Sequence, residues 1–218
     1  MNENGFKAKA IFLDLDGTIV DSKEAYKEAA RISFQTLGQK PPEEQAIFEI
    51  PRRLEQGLTI ADITNGDSKK FLSIYLKTYY SITREKTKLI PNVSATLETL
   101  SAKTKLALIT MRYVPKQNII EELNFFGILQ HFSYVVTALG SSKPKPSPEA
   151  LNACVRALNV EICDCIIAGD SVNDVRAGKA AGARTVAVLS GLFHCEELSK
   201  ECPDLILNDV TALPKFIE

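Results

Sequence analysis

From about residue 93 the chain alternates between two hydrophobic rhythms, and this alternation limits its fold more than any other feature. Residues 93–102 have helical spacing, and Lys105–Ile109 form an apolar strand run that ends at Thr110. Residues 115–125 read as helix, Tyr134–Leu139 as strand, 147–158 as helix and 163–168 as strand. Helix 172–181, strand Thr185–Leu189, a short strand near 204–207 and a terminal helix near 210–217 complete the series. Such repetition predicts an α/β fold with a doubly wound parallel sheet covered by helices. One further buried strand, residues 9–15, stands apart from the series. Between about 22 and 104 no strong strand is expected. Ser22–Leu37 reads as a helix with Ser22 as N-cap and Gly38 as stop. Residues 43–87 look helical in pieces, broken near Pro51, Gly57 and Asn65-Gly66. The organisation expected is a core of residues 1–20 and 89–218, with a small helical domain, 21–88, inserted after the first strand.

Composition narrows the function classes. With 218 residues, 45% of them apolar and 24% charged, the chain can bury a sizeable core. A net charge of −1 gives no reason to expect nucleic acid or an anionic membrane as partner. No apolar run approaches a membrane span, and Met1–Ala10 lacks a secretory core, so a soluble cytoplasmic protein is expected, monomer or homodimer. The five cysteines all fall in the C-terminal third, and an odd count argues against a disulfide framework. Cys163 and Cys165 form a C-x-C pair, but no second pair has metal-site spacing, so ordinary buried thiols are the simpler reading. With only His131 and His194, a histidine-activated nucleophile is disfavoured.

Polar residues collect where strands end. The first strand runs into Asp14-Leu15-Asp16-Gly17-Thr18, the second into Thr110. The third leads to Lys143-Pro144-Lys145-Pro146, the fourth into Gly169-Asp170-Ser171-Val172-Asn173-Asp174. In a parallel sheet all four ends share one edge, where ligands bind. Asp14 and Asp16 project to the same side of an extended chain. Two such charges at the end of a buried strand need a cation or a proton shared with substrate to offset them, and oxygen ligands suit Mg²⁺. Asp170 and Asp174 are four apart, so they share a face if the helix begins there. The set implies metal-assisted chemistry on an anion.

These motifs, in this order, resemble those of the haloacid dehalogenase-like hydrolases, a superfamily dominated by aspartate-nucleophile phosphatases. The likeness runs from about residue 9 to the end. It implies a Rossmann-like core and Mg²⁺-dependent hydrolysis of a small phosphorylated metabolite through an aspartyl-phosphate. Asp14 would be the nucleophile and Asp16 the general acid and then base, its backbone carbonyl also a metal ligand. Asp170 and Asp174 would complete the metal site. Thr18, Thr110 and Lys145 would hold phosphoryl oxygens, with Lys143 as the alternative lysine. The helical insert resembles the cap of the subfamily that includes phosphoglycolate phosphatase and β-phosphoglucomutase, with hinges near Val20–Ser22 and Lys88–Asn92. Cap residues Arg52 and Arg53 could bind a carboxylate or second phosphate, or simply form a solvated basic face. Met111-Arg112 stands where phosphatase members often have Asn, and Arg112 could assist anion binding. Mutase members tend to carry a cap His where Tyr26 stands here, which weakens the alternative of a phosphosugar mutase. A phosphate-binding or regulatory protein that turns over slowly is the other alternative.

Overall fold

The computed structural model describes residues 5–218. In chain order it contains β1 (Ala10–Leu13), β2 (Val20–Asp21), α1 (Lys23–Thr36), α2 (Glu44–Glu55), α3 (Ser68–Lys86) and β3 (Lys88–Leu89). There follow α4 (Val93–Ser101), β4 (Lys105–Thr110), α5 (Lys116–Phe125), β5 (Phe132–Thr137), α6 (Glu149–Leu158) and β6 (Cys165–Gly169). The last elements are α7 (Val172–Ala181), β7 (Arg184–Val188), α8 (Cys195–Lys200) and β8 (Leu205–Leu207). Two compact units result. One joins the residues up to Val20 with Leu89–Glu218, and the other is Asp21–Lys88.

The larger unit carries the doubly wound parallel sheet that the alternation implies. Six strands lie in the order β5-β4-β1-β6-β7-β8, and every pairing is parallel. Counted by appearance within this sheet the order is 3-2-1-4-5-6, so the connections reverse direction between β1 and β6. That reversal opens a crevice at the carboxyl ends of those two strands. β1 is the reason the sheet holds: all four of its residues are buried, between β4 on one side and β6 on the other. Its register places Phe12 beside Ala107 and Ile167. These residues join Leu151, Cys154 and Leu158 of α6 and Ala177 of α7 in one apolar layer. Helix α7 lies close on the sheet because Gly178 has no Cβ; one built there would come within 2.5 Å of Ile167 and Thr185 side chains.

The smaller unit is α-helical. Ala25, Ala29, Ala30 and Phe34 of α1 bury against Ile47 and Ile50 of α2 and Phe71, Tyr75 and Tyr79 of α3. Aromatic rings run along α3, Phe71 to Tyr75 at 5.7 Å and Tyr75 to Tyr79 at 6.3 Å between centroids. Tyr26 stacks on Tyr79 at 5.0 Å, so its ring belongs to this core.

Several boundaries differ from expectation. Pro51 does not break its helix; α2 runs through it. The residue lacks the N–H that would bond the Ile47 carbonyl, but burial of Ile47 and Ile50 on the same helix outweighs that loss. The two-residue strands β2 and β3 pair with each other and were too short to leave a period. The third strand starts at Phe132 rather than Tyr134, and the terminal helix is a 3₁₀ turn, Val210–Phe216. Helix α8 has six residues, too few for a recognisable helical repeat. Among the described residues no helix is long and apolar enough to cross a membrane.

Candidate active site

The chain leaves β1 while still tied to its neighbour, since the Asp14 amide donates to the Ala168 carbonyl at 3.0 Å. It then turns tightly around the Leu15 carbonyl, which accepts from the amides of Ile19 (2.9 Å) and Val20 (3.0 Å). Gly17 takes φ 78° in this turn, a conformation that costs glycine little. Asp14 is buried at the strand end. Thr18 is fully buried, and its hydroxyl donates to Asp170 Oδ1 at 3.4 Å. In this structure the Thr18 hydroxyl thus supports a carboxylate of the cluster.

β6 delivers the second pair of carboxylates. Ser171 caps α7 in a reciprocal box: its side chain accepts from the Asn173 amide, and Asp174 Oδ2 accepts from the Ser171 amide at 3.1 Å. The capping geometry thus fixes Asp174 with its other oxygen turned to Lys145. Asp170 is gripped by the loop after β7. The Leu192 amide donates to Asp170 Oδ2 at 3.3 Å, and Ser190 Oγ donates to the Gly17 carbonyl at 2.6 Å. A Cβ at Gly191 would lie 1.6 Å from Asp170 Oδ2, so only glycine fits there. Ser190, Gly191 and Leu192 were missed by sequence reasoning; a Ser-Gly directly after a parallel strand is their one local signal.

Lys145 reaches the cluster from the loop after β5. Its ammonium donates to Asp14 Oδ1 at 2.6 Å, Asp174 Oδ1 at 2.5 Å and the Ile109 carbonyl at 3.2 Å. Lys143 is exposed. Burial alone would lower the Lys145 pKa, but the charges of Asp14 and Asp174 overcome it and hold the ammonium well above its ordinary value. Burial pushes Asp14 up to about 7, with Asp174 and Asp16 adding to the rise and Lys145 opposing it. Thr110 ends β4, buried, its Oγ1 accepting from the Arg112 amide at 3.2 Å.

Asp16 lies in a different ionic set. Arg112 donates from Nε to Asp16 Oδ2 and from Nη2 to Asp16 Oδ1, both at 2.7 Å, and from Nη1 to Glu122 Oε2 at 2.6 Å. The guanidinium is buried between two carboxylates. A planar fork matches a carboxylate in this way, whereas an exposed lysine would have stayed in solvent. Glu122, on α5, was not anticipated: a lone Glu in a helix has no signal until its partner is known. Arg52 and Arg53 lie in the helical unit and are ion-paired there, Arg52 with Glu49 and Arg53 with Asp62 at 2.7 Å.

Asp14, Asp170 and Asp174 present carboxylate oxygens that all lie within 4.8 Å of one another, buried in each case. Three carboxylates against the one ammonium of Lys145 leave an excess of negative charge in a poorly solvated site. Hard oxygen donors with that excess fit a divalent cation. The thiols do not compete for this role: Cys165 is buried and pushed up to about 12, while Cys163 is exposed.

Comparison with known proteins agrees with the geometry. A family model described as haloacid dehalogenase-like hydrolase matches residues 11–188. A phosphoglycolate phosphatase from Vibrio parahaemolyticus is 30% identical over 96% of this chain and 96% of its own length. A Clostridium perfringens protein named for pyrophosphatase activity is 26% identical over 96% of this chain and 97% of its own. The solved structure of a haloacid dehalogenase-like family hydrolase from Streptococcus pneumoniae superposes with a TM-score of 0.77 at 22% identity, covering 98% of both chains. A sheet reversing at β1 and β6, an acidic crevice at that reversal and a match across most of the chain lead to one assignment: the protein belongs to the haloacid dehalogenase-like hydrolase family.

Proposed function

We propose that this protein is a Mg²⁺-dependent phosphatase for a small phosphorylated metabolite, working through a phosphorylated Asp14. The observation that carries the reading is the meeting of Asp14 with Lys145 beside Asp170 and Asp174 at the sheet's reversal point. Asp14, Asp170 and Asp174 would hold Mg²⁺, which supplies charge neutralisation between an anionic nucleophile and an anionic phosphoryl group. Asp14 attacks phosphorus and the bond to the leaving oxygen breaks; that oxygen takes the bonding pair and a proton from Asp16. A water then attacks the phosphoaspartate, giving a proton to Asp16, and the Asp14 carboxylate is restored. Lys145 balances charge on the nucleophile and on the phosphoryl oxygens, to which the Thr110 hydroxyl would donate. Substrate choice falls to the helical unit, acting as a cap, in a cytoplasmic setting.

Phosphate release from 4-nitrophenyl phosphate with and without Mg²⁺, followed by a panel of phosphoglycolate, sugar phosphates and pyrophosphate, tests the reading. Metal-dependent release abolished by Asp14→Asn is expected. Isomerisation of a sugar phosphate without release would make the protein a mutase. Tight phosphate binding without turnover would make it a binding protein.

A further inference from the structure

We propose that Arg112 is the positioning residue for Asp16: anchored by Glu122, its guanidinium sets the orientation of the carboxylate that moves protons. The inference rests on the reading above, in which Asp16 is proton donor and then acceptor.

The three groups form a line from the interior to the crevice. The side chains of Glu122 and Arg112 are each 4% exposed, and that of Asp16 is 15% exposed. The peptide groups on either side of Arg112 are also held. Its amide donates to Thr110 Oγ1, and its carbonyl accepts from the Ala138 amide, each at 3.2 Å. An arginine normally loses considerable rotamer freedom when it is fixed. Here burial, two backbone bonds and Glu122 fix it beforehand. A structural ion pair needs only Arg112 and Glu122. Instead the Nε–Nη2 edge is turned to the more exposed acid, two residues from the nucleophile.

The consequence is geometric. Each carboxylate oxygen has two lone pairs. The guanidinium engages one on each Asp16 oxygen and so fixes the plane containing the others. In the first half-reaction the proton leaves along that plane as the phosphorus–oxygen bond breaks and the leaving oxygen keeps the electron pair. Without Arg112, Asp16 on its short side chain samples other rotamers, and proton transfer loses its alignment while binding does not.

The test uses kcat/KM, which reports events only up to departure of the leaving group. An aryl leaving group departs with little protonation; an alkyl one requires it. Arg112→Met should lower kcat/KM about 10–100-fold for whichever alkyl phosphate of the panel is turned over fastest, and by about threefold or less for 4-nitrophenyl phosphate. Glu122→Gln should move the same ratio in the same direction by less. The double variant Arg112→Met/Glu122→Gln removes the buried charge left without its ion-pair partner, so it keeps the test open if the single variant unfolds, and it should match Arg112→Met. Equal losses on both substrates, or no loss, would overturn the positioning role. Asp16→Asn separates the two readings. If it too lacks leaving-group selectivity, Asp16 is not the proton donor; if it is selective and the Arg112 variants are not, only the role of Arg112 falls.

Discussion

Replacing Asp14 by Asn should stabilise the metal-free protein, and by an amount that depends on pH. The Asp14 carboxyl titrates at about 7 in the fold against an ordinary value of 3.8, chiefly because burial disfavours its charge. Its folded pKa is raised, so its contribution to stability is greatest below about pH 4. That contribution declines as pH rises from about 4 to 7 and is flat above, once both states are ionised. The loss across the window is about 4 kcal/mol. Asn resembles the neutral carboxyl in shape and still offers an oxygen to Lys145, but it does not titrate. The difference between variant and wild type should therefore be small near pH 4 and reach about 4 kcal/mol at pH 8. For a chain of this size that is a rise in melting temperature of about 10 °C. Scanning calorimetry in a chelating buffer at several pH values measures it, and resolves the two units if they melt separately. Adding millimolar Mg²⁺ at pH 8 should shrink the difference, because the cation stabilises only the wild-type cluster strongly. A difference that stays constant from pH 5 to 8, or a variant less stable than wild type at pH 8, would refute the argument.

Other outcomes follow from the same geometry. Gly191→Ala would place a Cβ 1.6 Å from Asp170 Oδ2; Mg²⁺ titration of activity should show affinity reduced about 10–100-fold with the fold retained by circular dichroism. Lys145→Met, which strips Asp14 and Asp174 of their ammonium, should lower kcat by at least about 100-fold, whereas Lys143→Met at an exposed position should stay within about twofold. Iodoacetamide followed by mass spectrometry should label Cys163, Cys195 and Cys202 in the native protein. Cys154 and Cys165, buried and pushed up to about 12, should react only on unfolding.

Which residues were legible beforehand has a physical pattern. Asp14, Thr110, Lys145 and Asp170 follow apolar strands, and parallel strands bring their carboxyl ends to one edge whatever their separation in sequence. Strand periodicity was thus enough to gather them. Asp174 was expected to share a helix face with Asp170, but α7 starts at Val172 with Ser171 as its N-cap, so Asp170 precedes the helix and the capping box orients Asp174 instead. Thr18 and Arg112 were placed in the right neighbourhood, but the carboxylates they bond, Asp170 and Asp16, were not foreseen. Direction along the strand says which edge a side chain reaches, but not whether a carboxylate 96 residues away will take its donors first, as Asp16 does with Arg112. Gly191 was out of reach because its value is the absence of a Cβ against Asp170, a distance that no spacing encodes.

The acids of this edge divide between two basic residues, and the division matches the two roles proposed for Asp14 and Asp16. Lys145 joins Asp14 and Asp174, which with Asp170 make a set short of positive charge. Arg112 joins Asp16 and Glu122, a set tied by three short bonds from one guanidinium. A lysine is a compact point charge that can shift among oxygens as a phosphoryl group arrives; an arginine holds a plane. The proposed nucleophile is thus paired with the cation that can yield, and the proposed proton carrier with the cation that cannot. Exchanging them, by Lys145→Arg and Arg112→Lys, should therefore damage the two steps differently. The first should impair attack on every phosphate ester alike, because the planar fork blocks Asp14. The second should penalise alkyl esters above aryl ones, because a single ammonium cannot fix both oxygens of Asp16.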